Sequence, residues 1–207
     1  FPPEASDVFS SRKLWLSAAK DFNDIFEVIP RYDSLLSESI GDNIKKGFAF
    51  LHPSIAVDWP TYKRQMSHAM SQVYHESIET LPQGFQDKFS QHFGIICFSE
   101  NFNSPVMWGH YAKCHGGFVV EFDPNHQIFP KEEFGKIEYS TSRPRIENSA
   151  YWNILLTKSP DWKYESEYRL IKPLARCDSM LRRNGDRKHF IELPVESVRS
   201  VFFGCKI

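Results

Sequence analysis

The stretch Ile95-Ile-Cys-Phe-Ser-Glu-Asn-Phe-Asn-Ser-Pro105-Val-Met-Trp-Gly-His-Tyr-Ala-Lys-Cys-His-Gly-Gly117-Phe-Val-Val-Glu-Phe122 decides the fold. It opens with Ile95–Ser99, a short apolar run of the buried-strand kind. Ser104 then offers a helix N-cap and Pro105 suits the first helical position, so a short helix is expected through Cys114. Gly116-Gly117 should stop that helix, because glycine enters the left-handed region at little cost. Phe118–Phe122 resumes as a strand and Asp123-Pro124 closes it.

Upstream, Lys13–Ser17 reads as a short strand and Phe22–Glu27 as a turn or a single helical turn. Trp59 to Thr80 is the longest helical candidate. Pro60 suits its first turn, and Tyr62, Met66, Ala69, Met70, Val73 and Tyr74 recur at steps of three and four. A second helix is expected over Phe85–His92, closed by Gly94. Downstream, strands are expected at Lys136–Ser140, Tyr168–Lys172, Phe190–Leu193 and Val198–Phe203, with a helix at Ser149–Lys158. Six or seven strands without a regular βαβ alternation indicate an α+β class. The expected architecture is a mixed, mostly antiparallel six- to seven-stranded sheet, with helices concentrated in the N-terminal half. The 207 residues are read as a single domain, 1–207, carrying a helical insertion at about 34–93.

Composition removes some classes of function. With 25 Lys+Arg against 26 Asp+Glu, the chain makes no overall electrostatic case for nucleic acid or an anionic membrane. The basic cluster Arg182-Arg183-Asn-Gly-Asp-Arg187-Lys188 reads as a solvated hairpin loop. No run of 18 apolar residues exists, so no transmembrane helix is expected. The 18 Phe argue for a well-packed core. Cys97, Cys114, Cys177 and Cys205 are far apart and form no CxxC pair. Cys97 and Cys205 sit in apolar contexts where a free thiol behaves as a small buried hydrophobe. Reduced cysteines and a cytoplasmic location are the simpler expectation. The sequence starts at Phe1 without a Met or a visible signal peptide.

Two places hold side chains that are costly to bury. Trp108, His110 and Tyr111 lie on the short helix, either as packing residues or as the wall of a pocket. Zinc on Cys114, His115 and His110 is not expected, since adjacent helical residues point apart and no second ligand pair follows. The second place is Glu165-Ser-Glu167 before the apolar Tyr168-Arg-Leu-Ile171. Strand alternation would put both carboxylates on one face. There each raises the other's pKa, so the pair is either a solvated edge or a functional site.

The ordered motifs Leu14-Trp-Leu-Ser17, Phe22-Asn-Asp-Ile-Phe-Glu27, Cys97-Phe-Ser99, Met107-Trp-Gly-His-Tyr-Ala112, His115-Gly-Gly-Phe118, Trp162-Lys-Tyr-Glu-Ser-Glu-Tyr-Arg-Leu-Ile171 and Val201-Phe-Phe-Gly204 resemble a bacterial family catalogued only as a domain of unknown function. The family carries Pro where Ile25 stands, which is expected to alter a turn and not a reaction. Its opening Tyr/Lys-rich strand is expected to lie upstream of Phe1. Glu165-x-Glu167 is also similar to the Glu-x-Glu element of ADP-ribosyltransferases, and Ile96–Ser99 to their serine-bearing strand. That likeness implies a split sandwich and NAD as substrate. It makes Glu167 the stabiliser of an oxocarbenium-like transition state, with Glu165 orienting a macromolecular acceptor. Ser99 would buttress the pocket, and Trp108, His110 and Tyr111 would line it, with an aromatic ring stacked on nicotinamide. The rival expectation is a non-catalytic sensor of a defence or stress system, binding a nucleotide or peptide. A nuclease or other hydrolase using His110 is a third, which the balanced charge does not favour.

Overall fold

The computed structural model describes residues 1–24, 27–29, 82–144, 151–181, 185 and 187–206, with backbone alone at 82–85, 88 and 151. The Trp59–Thr80 helix, Ile25 and most of the 34–93 insertion lie outside these residues. Among the described residues the α+β class holds, with four short α-helices at Asp7–Ser11 (α1), Pro82–His92 (α2), Pro105–Tyr111 (α3) and Tyr151–Leu155 (α4).

Among the described residues the strands form four small sheets and not one large one. Lys13–Trp15 (β1), Asp178–Leu181 (β8) and Arg187–Glu192 (β9) make an antiparallel sheet in the order β1-β9-β8. Phe93–Ser99 (β2), Phe134–Lys136 (β4) and Glu167–Pro173 (β7) make a second, with β7 in the centre. Phe118–Phe122 (β3) pairs antiparallel with Val198–Phe203 (β10), and Glu138–Tyr139 (β5) pairs parallel with Thr157–Lys158 (β6). A bridge between Ser17 and Ile95 joins the first two sheets. β8 and β9 pair antiparallel on either side of the basic cluster, of which residues 182–184 and 186 lie outside those described.

Period-two alternation gives the β2-β7-β4 sheet two different faces. On one, Phe98 meets Phe122, Phe129 and Phe134 edge to face at 5.5, 5.2 and 5.8 Å, and Phe134 stacks on Tyr168. This face continues into a core containing Leu14, Phe118, Val120, Ile128 and Leu193. The other face carries Cys97 and Ser99 on β2 and Glu167 and Arg169 on β7, in the cross-strand pairs Cys97↔Arg169 and Ser99↔Glu167. The apolar layer secures the strands, each well-buried Leu or Ile contributing about 1.5–3 kcal/mol. The opposite layer is free to hold charge.

Several boundaries differ from the expectation for identifiable reasons. α2 runs straight into β2, so Gly94 lies within the strand. A Cβ there would stand 2.7 Å from the Cβ of Leu16, which makes Gly94 a close-approach residue and not a helix stop. α3 ends at Tyr111, short of Cys114, and the turn after it is made by Lys113, Cys114 and His115 at φ 49°, 52° and 69°. Gly116-Gly117 is not the left-handed stop. At Gly117 a Cβ would fall 2.1 Å from the carbonyl oxygen of Phe1, which explains the glycine by space. The expected strand 136–140 divides into β4 and β5 around buried Ile137. The expected helix 149–158 keeps only α4 among the described residues, and Thr157–Lys158 is extended against β5. Cys97 and Cys205 are exposed, not core positions, although all four cysteines are free thiols.

Candidate functional site

The site is built where the chain turns back on itself between β6 and β7. Ser159 accepts a hydrogen bond from the Asp161 amide, and Pro160 opens a 3-10 helix over Pro160–Glu165. That helix ends on Ser166, whose φ of 44° is left-handed. β7 starts at the next residue. Glu165 and Glu167 therefore do not share a face by strand alternation, since Glu165 closes a helix and Glu167 opens a strand. The kink at Ser166 is what turns both carboxylates inward.

They meet on Lys158. Its Nζ lies 2.5 Å from Glu165 Oε2 and 2.8 Å from Glu167 Oε2, with Glu27 Oε2 at 3.8 Å. The other oxygen of Glu167 accepts from Arg169 Nε at 2.7 Å. Arg169 also donates to the Leu155 carbonyl at 2.6 Å and pairs with Glu27. All five side chains are buried, and Arg169 is 0 % exposed. The solvated-edge reading of the glutamates is thereby excluded. Three carboxylates against two cations leave one excess negative charge among these five groups, with buried Asp24 also acting on Arg169.

Neighbouring segments fix this arrangement. Gln86 on α2 donates from Nε2 to the carbonyls of Ala19 and Glu27, both at 3.1 Å, and so ties down the loop that carries Glu27. Val28, next to it, is buried and holds φ at 57°, a costly conformation for a β-branched residue. Tyr139 Oη accepts from the Glu167 amide at 2.9 Å. Aromatic faces cover both cations, Trp162 lying 4.9 Å from Lys158 Nζ and Phe22 5.0 Å from the Arg169 guanidinium carbon.

The residues expected at the site divide three ways. Ser99 donates to the Glu165 carbonyl at 2.6 Å, and Tyr111 donates to Glu165 Oε1, so both join the glutamates. His110 lies one contact further out, its Nδ1 3.0 Å from Tyr164 Oη. Trp108 is turned elsewhere, donating to the Phe102 carbonyl at 2.7 Å and stacking on His115. Lys158, Arg169 and Glu27 were not singled out from sequence. A guanidinium inside the apolar run Tyr168-Arg-Leu-Ile171, two residues after Glu167, was a usable sign, because an arginine buried in a central strand needs carboxylates around it.

The electrostatics follow from burial and this pairing. Burial raises the Glu167 carboxyl above its ordinary range, and Lys158 reverses only part of the rise. Burial pulls the Lys158 ammonium down, but Glu167 and Glu165 more than compensate, so it is held above its usual value. Tyr111 is pushed up by burial first and then by its bond to Glu165. Cys97 keeps solvent access, yet burial and adjacent Glu167 push its thiol well above its ordinary value. Among the described residues, no group of three or more His, Cys, Asp or Glu is arranged to hold a metal ion. None of their helices is long and apolar enough to cross a membrane.

Residues 107–170 match the model of a family described as protein of unknown function (DUF2971). The expected resemblance to a domain of unknown function is thereby borne out over this span. The DUF2971 match takes in Tyr111, Tyr139, Lys158, Glu165, Glu167 and Arg169, while Ser99 and Glu27 lie outside it. No curated protein and no solved structure matches the chain.

Proposed function

We propose that this chain is an NAD-using, ADP-ribosyltransferase-like enzyme whose reacting end is the Glu165–Glu167 pair. One observation carries the reading. Ser99, Tyr111 and the two glutamates come from three separate segments and are joined by hydrogen bonds and a shared lysine. In the reaction, the bond between ribose C1′ and the nicotinamide nitrogen breaks. The electron pair leaves with nicotinamide and neutralises its ring charge. The ribosyl carbon left behind is cationic, and a buried site with excess carboxylate stabilises it. An acceptor nucleophile then bonds to C1′ and gives up its proton, the step in which Glu165 takes part. To reach a ribose hydroxyl, Glu167 must release Lys158, which can stay on Glu165 and Glu27.

A second reading, a non-catalytic nucleotide- or peptide-binding module, is favoured by a different observation. Both oxygens of Glu167 are already occupied, by Lys158 and Arg169. Nicotinamide release from NAD by the purified chain separates the two. The enzyme reading expects release that falls on the order of 10²–10³-fold in Glu167→Gln. Glu165→Gln should keep release and lose transfer to an acceptor. Binding of NAD without release would sink the enzyme reading and leave the module.

A further inference from the structure

Lys158 and Glu27 also line a cavity of about 390 Å³ whose lining does not include Tyr111, Glu165 or Glu167. Its volume is at the small end of the range for small-molecule sites. The floor is apolar, formed by Val28, Ile29 and Ile154. The walls bring Ser140, Thr141, Ser142, Thr157 and Ser159 together with the carboxylates Asp24, Glu27 and Asp161. The cations on the wall are Lys158 and Arg143. Lys158 is held by three glutamates, and Arg143 is itself engaged.

This lining selects by charge. Three carboxylates against two engaged cations oppose a phosphate. A neutral ring with neighbouring hydroxyls suits it, since a carboxylate accepts two such hydroxyls at once and the apolar floor covers a flat ring. We propose that this cavity is a site for a nucleoside without its phosphates, with Asp161 as a carboxylate that grips the ribose diol. The choice of a nucleoside over other polyols rests on the NAD-using reading. Because Lys158 forms part of the cavity wall, an occupant there lies against the cation that also holds Glu165 and Glu167.

Calorimetric titration of the whole chain with adenosine, nicotinamide riboside and inorganic phosphate tests the site. Two variants at exposed wall positions accompany it, Asp161→Asn and Thr141→Trp. The expectation is that at least one nucleoside binds, that phosphate does not, and that each variant weakens the nucleoside about tenfold or more with an unchanged melting temperature. Absent nucleoside binding, binding untouched by both variants, or phosphate binding more tightly than either nucleoside would each overturn the proposal. Nicotinamide release measured on the same preparations keeps the two readings apart. Release from NAD without nucleoside binding removes the cavity site alone, and nucleoside binding without release removes the enzyme alone.

Discussion

Replacing Lys158 by methionine tests the buried charge network most directly, because the side-chain volume is nearly kept and only the cation goes. Glu167 and Glu27 would retain Arg169. Among the partners described, Glu165 would be left with the Tyr111 hydroxyl alone. The five-group count moves from one excess negative charge to two. Removing one member of a buried pair costs about 3–5 kcal/mol, because the remaining charge is buried without compensation. In a chain of this size that lowers the melting temperature by about 6–20 °C. The companion variant Lys158→Met/Glu165→Gln restores the original count, and should recover at least about 1.5 kcal/mol of the loss through the coupling of neighbouring sites. Thermal and urea unfolding followed by circular dichroism give both numbers. A Lys158→Met change within about 1 kcal/mol of wild type, or a double variant no better than the single, would refute the account of Lys158 as the clamp.

Three further outcomes are expected. Lys158 and Tyr111 are both held above their ordinary values of 10.5 and 10.0, so their contribution is complete below about pH 10 and is lost as pH rises through the folded-state values; urea midpoints should be level up to about pH 10 and then fall, less steeply in Lys158→Met. Gly109 lies within α3 with no atom within 4 Å of a Cβ, so Gly109→Ala should stabilise by about 0.5–1 kcal/mol; at Gly204 a Cβ would meet the His115 carbonyl oxygen at 2.1 Å, so Gly204→Ala should destabilise, and melting curves with the opposite order would refute the packing argument. Cys97 should react with iodoacetamide at pH 8 more slowly than a free cysteine despite its solvent access, because the thiolate is the nucleophile and its formation is suppressed; peptide-resolved mass spectrometry reads the rate.

What could be read from the sequence was local. The strands Phe118–Phe122 and Val198–Phe203 follow from apolar runs bounded by Gly and Asp-Pro, and α3 follows from Ser104-Pro105. The assembly of strands into several small sheets was not legible. It depends on breaks such as the one at Ile137, which the residue pattern does not announce. The glutamates were found because paired carboxylates before an apolar strand are costly. The reason they converge was missed, because Ser166 carries no sign of a left-handed backbone. Lys158 was hidden for a similar reason. In an expected helix it reads as a solvated end, whereas one residue of extended chain at Thr157 turns it inward.

The left-handed residue between the glutamates has a mechanical meaning. Glu165 closes the 3-10 helix and Glu167 opens the central strand, so the two carboxylates belong to separate elements joined at Ser166. The gap between them is then a measure of how that helix rests on the sheet. α3 touches that helix at two points, His110 against Tyr164 and Tyr111 against Glu165, so the seat of the helix on α3 sets where one of the two carboxylates meets the shared lysine.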